Sequence, residues 1–137
     1  MKLNMTGTYS AYTYNEHAVE AIRNHDVSSP FFLYMAFQNT HTPLQVPEHY
    51  RPAFVPPVNN SDVSMIYGMV ACMDESVKNI TTALSERGMF KHTLLVWSTD
   101  NGGHLGNSQN NYPLRGGKTT QFDGGLRQSG ARIYMLQ

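Results

Sequence analysis

Apolar and polar positions fall into three kinds of block along the chain. Two are unbroken apolar runs that stop at polar residues. Phe31-Phe32-Leu33-Tyr34-Met35-Ala36-Phe37 gives way to Gln38-Asn39-Thr40-His41-Thr42-Pro43, and Leu94-Leu95-Val96-Trp97 gives way to Ser98-Thr99-Asp100-Asn101-Gly102-Gly103. Runs of this length and content predict strands buried on both faces, over 31–37 and 93–99. A third strand is predicted from Ala131 to Leu136. The second kind of block is helical. Val63, Ile66, Val70, Met73, Val77, Ile80 and Leu84 recur at alternating spacings of three and four, one continuous stripe suited to packing on a sheet. Ser61-Asp62 caps this helix and Gly88 stands at its C′ position. A shorter helix is predicted with Asn15 as N-cap and Ala18, Val19, Ala21 and Ile22 on its apolar face, ending at Asn24-His25-Asp26. The third kind is punctuation. Pro43, Pro47, Pro52, Pro56 and Pro57 predict a long irregular loop, and polar residues fill Asn107 to Pro113.

The order helix, strand, loop, helix, strand, loop, strand predicts an α/β fold with a mainly parallel sheet flanked by helices. The chain, at 137 residues, is long enough for one domain with a core. Ten basic and ten acidic residues balance to a net charge of zero, without a charge block or basic stripe. That makes nucleic acid and anionic membrane poor partners. The apolar runs are too short to span a bilayer. The single cysteine, Cys72, excludes an internal disulfide framework and sits beside the helical stripe as a small packed residue. Three N-x-Ser/Thr sequons, at Asn4, Asn59 and Asn79, are candidate glycosylation sites and lean towards the secretory pathway. The first residues lack an apolar h-region, so no signal peptide is visible.

Asp100 and Asn101 fall at the carboxyl end of a predicted strand, the rim where ligands bind in open α/β sheets. A carboxylate beside an amide carbonyl offers two hard oxygen donors, suited to Ca²⁺ or Mg²⁺. His41 falls at the same end of the first predicted strand. Further on, Leu114-Arg115-Gly116-Gly117-Lys118 places two bases around a glycine pair, and Phe122-Asp123-Gly124-Gly125-Leu126-Arg127 repeats the Gly-Gly device. A carboxylate, an amide, an imidazole and an ammonium suit a divalent cation bound to a tetrahedral oxyanion. Asp100 and Asn101 would hold the metal, and Lys118 and His41 would donate to the anion. Arg115 or Arg127 would do likewise, or pair with an acid structurally. The competing readings are an Asx-Gly turn, a surface histidine and a solvated lysine. No HExxH, CxxC pair or P-loop supports a zinc or NTPase reading.

Pro30-Phe31-Phe32-Leu33-Tyr34, His41-Thr42-Pro43-Leu44-Gln45-Val46-Pro47, Ser98-Thr99-Asp100-Asn101-Gly102-Gly103, Asn111-Tyr112-Pro113-Leu114-Arg115-Gly116-Gly117-Lys118 and Gly124-Gly125-Leu126-Arg127 together resemble the type I sulfatases. Within that family the segments are most similar to the arylsulfatase B branch. Tyr67-Gly68-Met69-Val70 and Met73-Asp74-Glu75 fit as well. The resemblance spans nearly the whole chain in one order. It implies an alkaline-phosphatase-like α/β fold, present only in part, with residues 1–137 as the later half of a catalytic domain. It also implies calcium-dependent hydrolysis of sulfate esters, of sulfated sugars or glycosaminoglycans, in a lysosomal or secreted enzyme. By position, Asp100 and Asn101 become Ca²⁺ ligands. His41 and Lys118 become catalytic and sulfate-contacting residues, with Arg115 as a further substrate contact. The family's nucleophile is a formylglycine made from cysteine in a C-x-P-S-R motif. Cys72 stands instead in Cys72-Met73-Asp74-Glu75-Ser76. The family's paired N-terminal aspartates are not found either. The expectation is therefore an internal portion of a sulfatase, inactive alone. Two other readings stay open: a non-catalytic truncated product or binding module, and a metal-dependent phosphodiesterase of the same superfold.

Overall fold

The computed structural model describes residues 7–51, 61–106, 109–127 and 130–134, the last stretch for its backbone. The sequons at Asn4 and Asn59, and the proline-rich stretch over 52–60, lie outside the described residues. The chain divides into two compact units, Met1–Lys91 and His92–Gln137.

The first unit is helical. Helix α1 runs Ser10–Asn24 and helix α2 runs Ser61–Glu86, with a 3-10 turn at Glu48–Tyr50 between them. The predicted Asn15 cap is wrong: α1 begins earlier, its first turn closed by Tyr12 and Thr13 amides on the Tyr9 carbonyl. Burial of Ala11 and Thr13 and an edge-to-face contact between Tyr9 and Tyr12, ring centroids 5.8 Å apart, recruit the upstream residues. The end of α1 is where the polar Asn24-His25-Asp26 segment predicts it.

Helix α2 ends as its sequence foretells. Gly88 takes φ +69°. Its amide donates to the Ser85 carbonyl at 3.0 Å, and the Met89 amide donates to the Leu84 carbonyl at 2.9 Å. These two bonds are the Schellman pair, and the left-handed φ explains glycine there.

The buried face of α2 is not the predicted one. Ser64, Gly68, Met69, Cys72, Ser76, Ile80, Ala83 and Leu84 are its buried residues, whereas Val70 is 43% exposed. Of the apolar stripe only Ile80 and Leu84 are fully covered. The helix packs on α1 rather than on a described sheet, and small residues let two backbones approach closely. Ala18 and Ile22 meet Ile80, Ala83 and Leu84 in one cluster, with Phe31, Met35, Phe37 and Phe90 packed around it. Ala11, Tyr50 and Cys72 form a second. Cys72 is a buried free thiol, as its place beside the stripe suggests.

Residues 31–37 are not a strand. They lie outside the described strands, with Phe31, Met35 and Phe37 against the helical core and Phe32 90% and Tyr34 80% exposed. A strand exists only through a partner, and none is described beside this segment.

The second unit carries the described sheet. Strand β1, Leu94–Ser98, pairs antiparallel with strand β2, Gly130–Tyr134, from Leu94 opposite Tyr134 to Ser98 opposite Gly130. The mainly parallel sheet is thus absent among the described residues. A parallel return needs a crossover, usually a helix, whereas the described part of the connection here is irregular loop and one helical turn, α3, Asp123–Leu126. Strand β1 is not buried on both faces. Leu94 and Val96 are 52% and 63% exposed. No helix among the described residues is long and apolar enough to cross a membrane.

Candidate functional site

The acid-amide turn lies where β1 stops. Thr99, Asp100 and Asn101 leave the sheet in a bend. Asp100 Oδ1 accepts from the Asn101 amide and from Asn101 Nδ2, both at 2.8 Å. The two side chains are therefore mutually oriented, and Asp100 is exposed. A carboxylate and an amide carbonyl are donors that suit Ca²⁺. Among the described residues no group of three or more His, Cys, Asp or Glu side chains gathers to complete a metal shell. A Ca²⁺ shell takes about 6–8 oxygens, so this pair could supply only part of one.

Lys118 reaches this turn through the backbone. Its amide donates to the Gly103 carbonyl at 3.1 Å. Lys118 is the first corner of a tight turn in which the Thr120 amide donates to the Gly117 carbonyl at 3.0 Å. Thr119, the second corner, has φ 75°. A left-handed second corner marks a type II turn, whose usual occupant is glycine. Thr120 holds it: Oγ1 accepts from the Gly117 amide at 3.1 Å and donates to the Gly117 carbonyl at 2.8 Å.

Three glycine pairs surround these groups. The Gly102 amide donates to the Gly125 carbonyl at 3.2 Å, and the Gly124 amide to the Arg115 carbonyl at 2.8 Å. A Cβ on Gly117 would overlap the Gly103 carbonyl oxygen, and one on Gly124 would overlap that of Gly116. Sequence reasoning takes these glycines as a repeated device; the structure shows them as backbone-on-backbone contacts that bring three segments together. Asn111 is the residue that reasoning misses. It sits half-buried among them; the sequence shows it in a polar loop and at the start of a segment that carries the family resemblance, with no role attached to it.

Arg115 lies with its guanidinium carbon 4.0 Å from the centre of the Phe122 ring, a cation–π stack. A guanidinium stacked by its face keeps its N–H edge for an anion. Arg127 pairs with Asp123 at 3.6 Å on an exposed surface. That is the structural alternative foreseen for it, of little energetic weight.

His41 belongs to the helical unit, whereas Asp100, Asn101, Arg115 and Lys118 belong to the other. His41 follows a turn closed by its own amide on the Gln38 carbonyl at 3.0 Å. Its Nδ1 lies 2.8 Å from the Thr42 carbonyl. A carbonyl accepts only, so Nδ1 carries a proton and, in the neutral ring, Nε2 is the acceptor. Asn39 anchors the loop. Its Nδ2 donates to the Met69 carbonyl at 2.7 Å and to the Tyr9 hydroxyl at 3.2 Å. Asn79 is half-buried within α2, and its sequon partner Thr81 donates to the Val77 and Lys78 carbonyls, each at 3.0 Å.

A family model described as Sulfatase matches residues 3–128. Arylsulfatase J of Mus musculus is 37% identical over 128 residues, covering 90% of this chain and 21% of that protein. N-acetylgalactosamine-6-sulfatase of Mus musculus is 32% identical over 121 residues, covering 84% of this chain and 22% of that protein. The crystal structure of Ps i-CgsB in complex with k-i-k-neocarrahexaose superposes with a TM-score of 0.86 at 33% identity, over 93% of this chain and 28% of that one. The chain therefore spans between a fifth and a third of the length of these relatives.

Proposed function

The chain belongs to the sulfatase family, and from that membership we propose that the protein carrying it hydrolyses sulfate esters in a calcium-dependent reaction. One observation carries this reading beyond the family: the Lys118 amide bond to the Gly103 carbonyl, which ties a cationic turn to the acid-amide turn. Asp100 and Asn101 would hold a Ca²⁺ ion through oxygen donors. The ion, when bound, would neutralise charge on the sulfate oxygens. Lys118 donates from its ammonium to a sulfate oxygen and stabilises the charge that grows on the leaving oxygen as the ester bond breaks. His41, by its place in the family resemblance, would donate to a sulfate oxygen from Nε2 in the imidazolium form, since its Nδ1 proton is taken by the Thr42 carbonyl. Arg115, steadied by Phe122, supplies a further contact to the substrate. Formylglycine, the family's nucleophile, finds no C-x-P-S-R context in these 137 residues. This chain's part is anion binding and charge stabilisation.

The substrate class we propose is a sulfated sugar or glycosaminoglycan. Two similar proteins support it: one is an N-acetylgalactosamine-6-sulfatase and the other is held with a neocarrahexaose. A lysosomal or secreted destination is part of the same proposal, supported by that likeness and by the sequons at Asn4, Asn59 and Asn79.

The test is aryl sulfate turnover by the complete protein across a Ca²⁺ titration, with an aryl phosphate in parallel. His41→Ala should lose about 10²–10³ in rate, as for removal of one anion donor, with no response to added Ca²⁺. Asp100→Ala should lose more and be partly restored by Ca²⁺, because mass action refills a weakened site. Equal calcium responses in the two variants would remove Asp100 from the metal role. Preference for the phosphate would point to the phosphodiesterase reading.

A further inference from the structure

We propose that Asn111 is a positioning residue for the proposed sulfate-ester site, clasping the Asp100–Gly103 turn to the Lys118 turn; the inference rests on the functional reading above. The carboxamide makes three hydrogen bonds. Oδ1 accepts from the Gly103 amide at 2.8 Å, and Nδ2 donates to the Gly103 carbonyl at 2.8 Å and to the Gly116 carbonyl at 3.1 Å. The pair of bonds to Gly103 copies the way one backbone grips another, but with a side chain that ends there. The third bond carries the grip across to the glycine pair that precedes Lys118.

The chemistry permits few substitutes. All three partners are backbone groups, one donor and two acceptors. Reversing the amide would set N–H against N–H and oxygen against two carbonyl oxygens, so the orientation follows from the partners. Aspartate keeps the acceptor and loses both donors. Alanine and leucine lose all three bonds. Space is as restricted as polarity: a Cβ on Gly117 would lie 2.8 Å from Asn111 Nδ2, and one on Gly103 would lie 3.3 Å from Asn111 Oδ1. The carboxamide therefore fills a slot that the glycines leave open. The Gly103 carbonyl it grips also accepts the Lys118 amide. Both of that oxygen's lone pairs are thus used, one by the clasp and one by the turn being clasped. The three described bonds of the carboxamide all go to backbone groups, so its influence on Asp100, Asn101 and Lys118 passes through the backbone.

The experiment compares Asn111→Ala and Asn111→Asp with wild type in the complete protein. In Asn111→Ala, the Ca²⁺ concentration for half-maximal aryl sulfate turnover should rise about 10–100-fold, as for loss of outer-shell support at metal sites. KM for the ester at saturating Ca²⁺ should change less than kcat. Asn111→Asp adds a readout that mere packing would not move. Its protonated acid regains one O–H donor, so its rate relative to wild type should climb as pH falls through the carboxyl range, near 4. The Asn111→Ala ratio should stay flat. Amide hydrogen exchange completes the test without any need for turnover. Gly103 and Lys118 amides should lose protection in Asn111→Ala while those of α1 and α2 keep theirs. Unchanged exchange at Gly103 and Lys118 overturns the clasp. Lost protection with unchanged Ca²⁺ response and turnover overturns the positioning role. A wild-type protein without sulfatase turnover sinks the functional reading, and the exchange data still decide the clasp. Should Asn111→Ala fail to fold, the pH ratio of Asn111→Asp decides between clasp and mere packing.

Discussion

Gly102 and Gly124 meet backbone to backbone: a Cβ added to Gly102 would overlap the Gly124 carbonyl oxygen. Neither partner has a side chain that can turn aside, so the space is set by two main chains. Gly102 belongs to the acid-amide segment that follows β1, and Gly124 to the helical turn α3. The contact therefore joins the proposed metal segment to a segment more than twenty residues further along the chain.

Gly102→Ala should destabilise the unit formed by residues 92–137 by about 1–3 kcal/mol or more, the range for overpacking against groups that cannot relax. Gly88→Ala makes the comparison. Nothing lies within 4 Å of its added Cβ, so the penalty there is conformational, set by φ +69°, and should be about 1 kcal/mol. Gly88→Asn should lose less than Gly88→Ala, because asparagine tolerates the left-handed region. Gly102→Asn should be no better than Gly102→Ala. Urea melts with unit-resolved amide exchange separate the two mechanisms.

Thr119 is a β-branched residue in a glycine conformation, and Lys118 sits beside it at the corner of the same turn. Thr119→Gly removes a left-handed penalty of about 1–2 kcal/mol and loosens the unfolded chain by about 0.5–1 kcal/mol. The net expectation is a stability gain of up to about 1.5 kcal/mol. Turnover of a sulfate ester should fall several-fold at the same time, because the corner carrying Lys118 loses its restraint. Thr120→Val should move the other way in stability. It deletes both bonds to Gly117, at about 0.5–1.5 kcal/mol each. A Thr119→Gly protein that is less stable than wild type would contradict the strain argument.

These features differ in how far the sequence discloses them. The ends of elements are legible because their causes are local. Gly88 stops α2 through its own φ, and Ser98-Thr99-Asp100 ends β1 through a change from apolar to polar residues. Partnerships are less legible, because the partner is remote in the chain. The run Phe31–Phe37 has strand composition and no described strand to pair with. The apolar stripe of α2 through Ile66, Val70 and Met73 is conspicuous. The buried face instead carries Ser64, Gly68, Cys72 and Ser76, residues that hydropathy ranks low and close approach favours, with Gly68 against Val46 and Tyr50. Among the candidate site residues, residue type and position after an apolar run single out Asp100, Asn101 and Lys118 in one unit and His41 in the other. The role of Asn111 stays hidden although the resemblance includes it, because its neighbours Gln109 and Asn110 are also polar amides and its three backbone partners are set by the fold.

The last prediction concerns alkaline pH and the helical unit. Tyr50 is 7% exposed and donates its hydroxyl to Glu75 Oε2 at 2.6 Å. Burial, and then the bond to that carboxylate, push the phenol well above its ordinary value of 10.0. Tyr12 from α1 and Cys72 from α2 face the same cluster, and burial raises both of them too. The sign follows from which state holds the proton. A folded-state value raised above the unfolded one means that the folded protein keeps its proton longer. Tyr50 therefore contributes its full stabilisation below about pH 10, and that contribution drains away as pH rises further, once unfolded chains ionise and the folded phenol does not. Each such group adds a slope of about 1.4 kcal/mol per pH unit in that window. Tyr50→Phe should lose about 1 kcal/mol at neutral pH through the missing hydrogen bond. Above about pH 10 its stability should then fall less steeply than wild type by about one proton's worth of slope. Two sets of urea melts, one near neutral pH and one stepped above pH 10, read both quantities. Parallel alkaline slopes in the two proteins would show that Tyr50 ionises as readily folded as unfolded, and the Glu75 contact would then carry no linkage to pH.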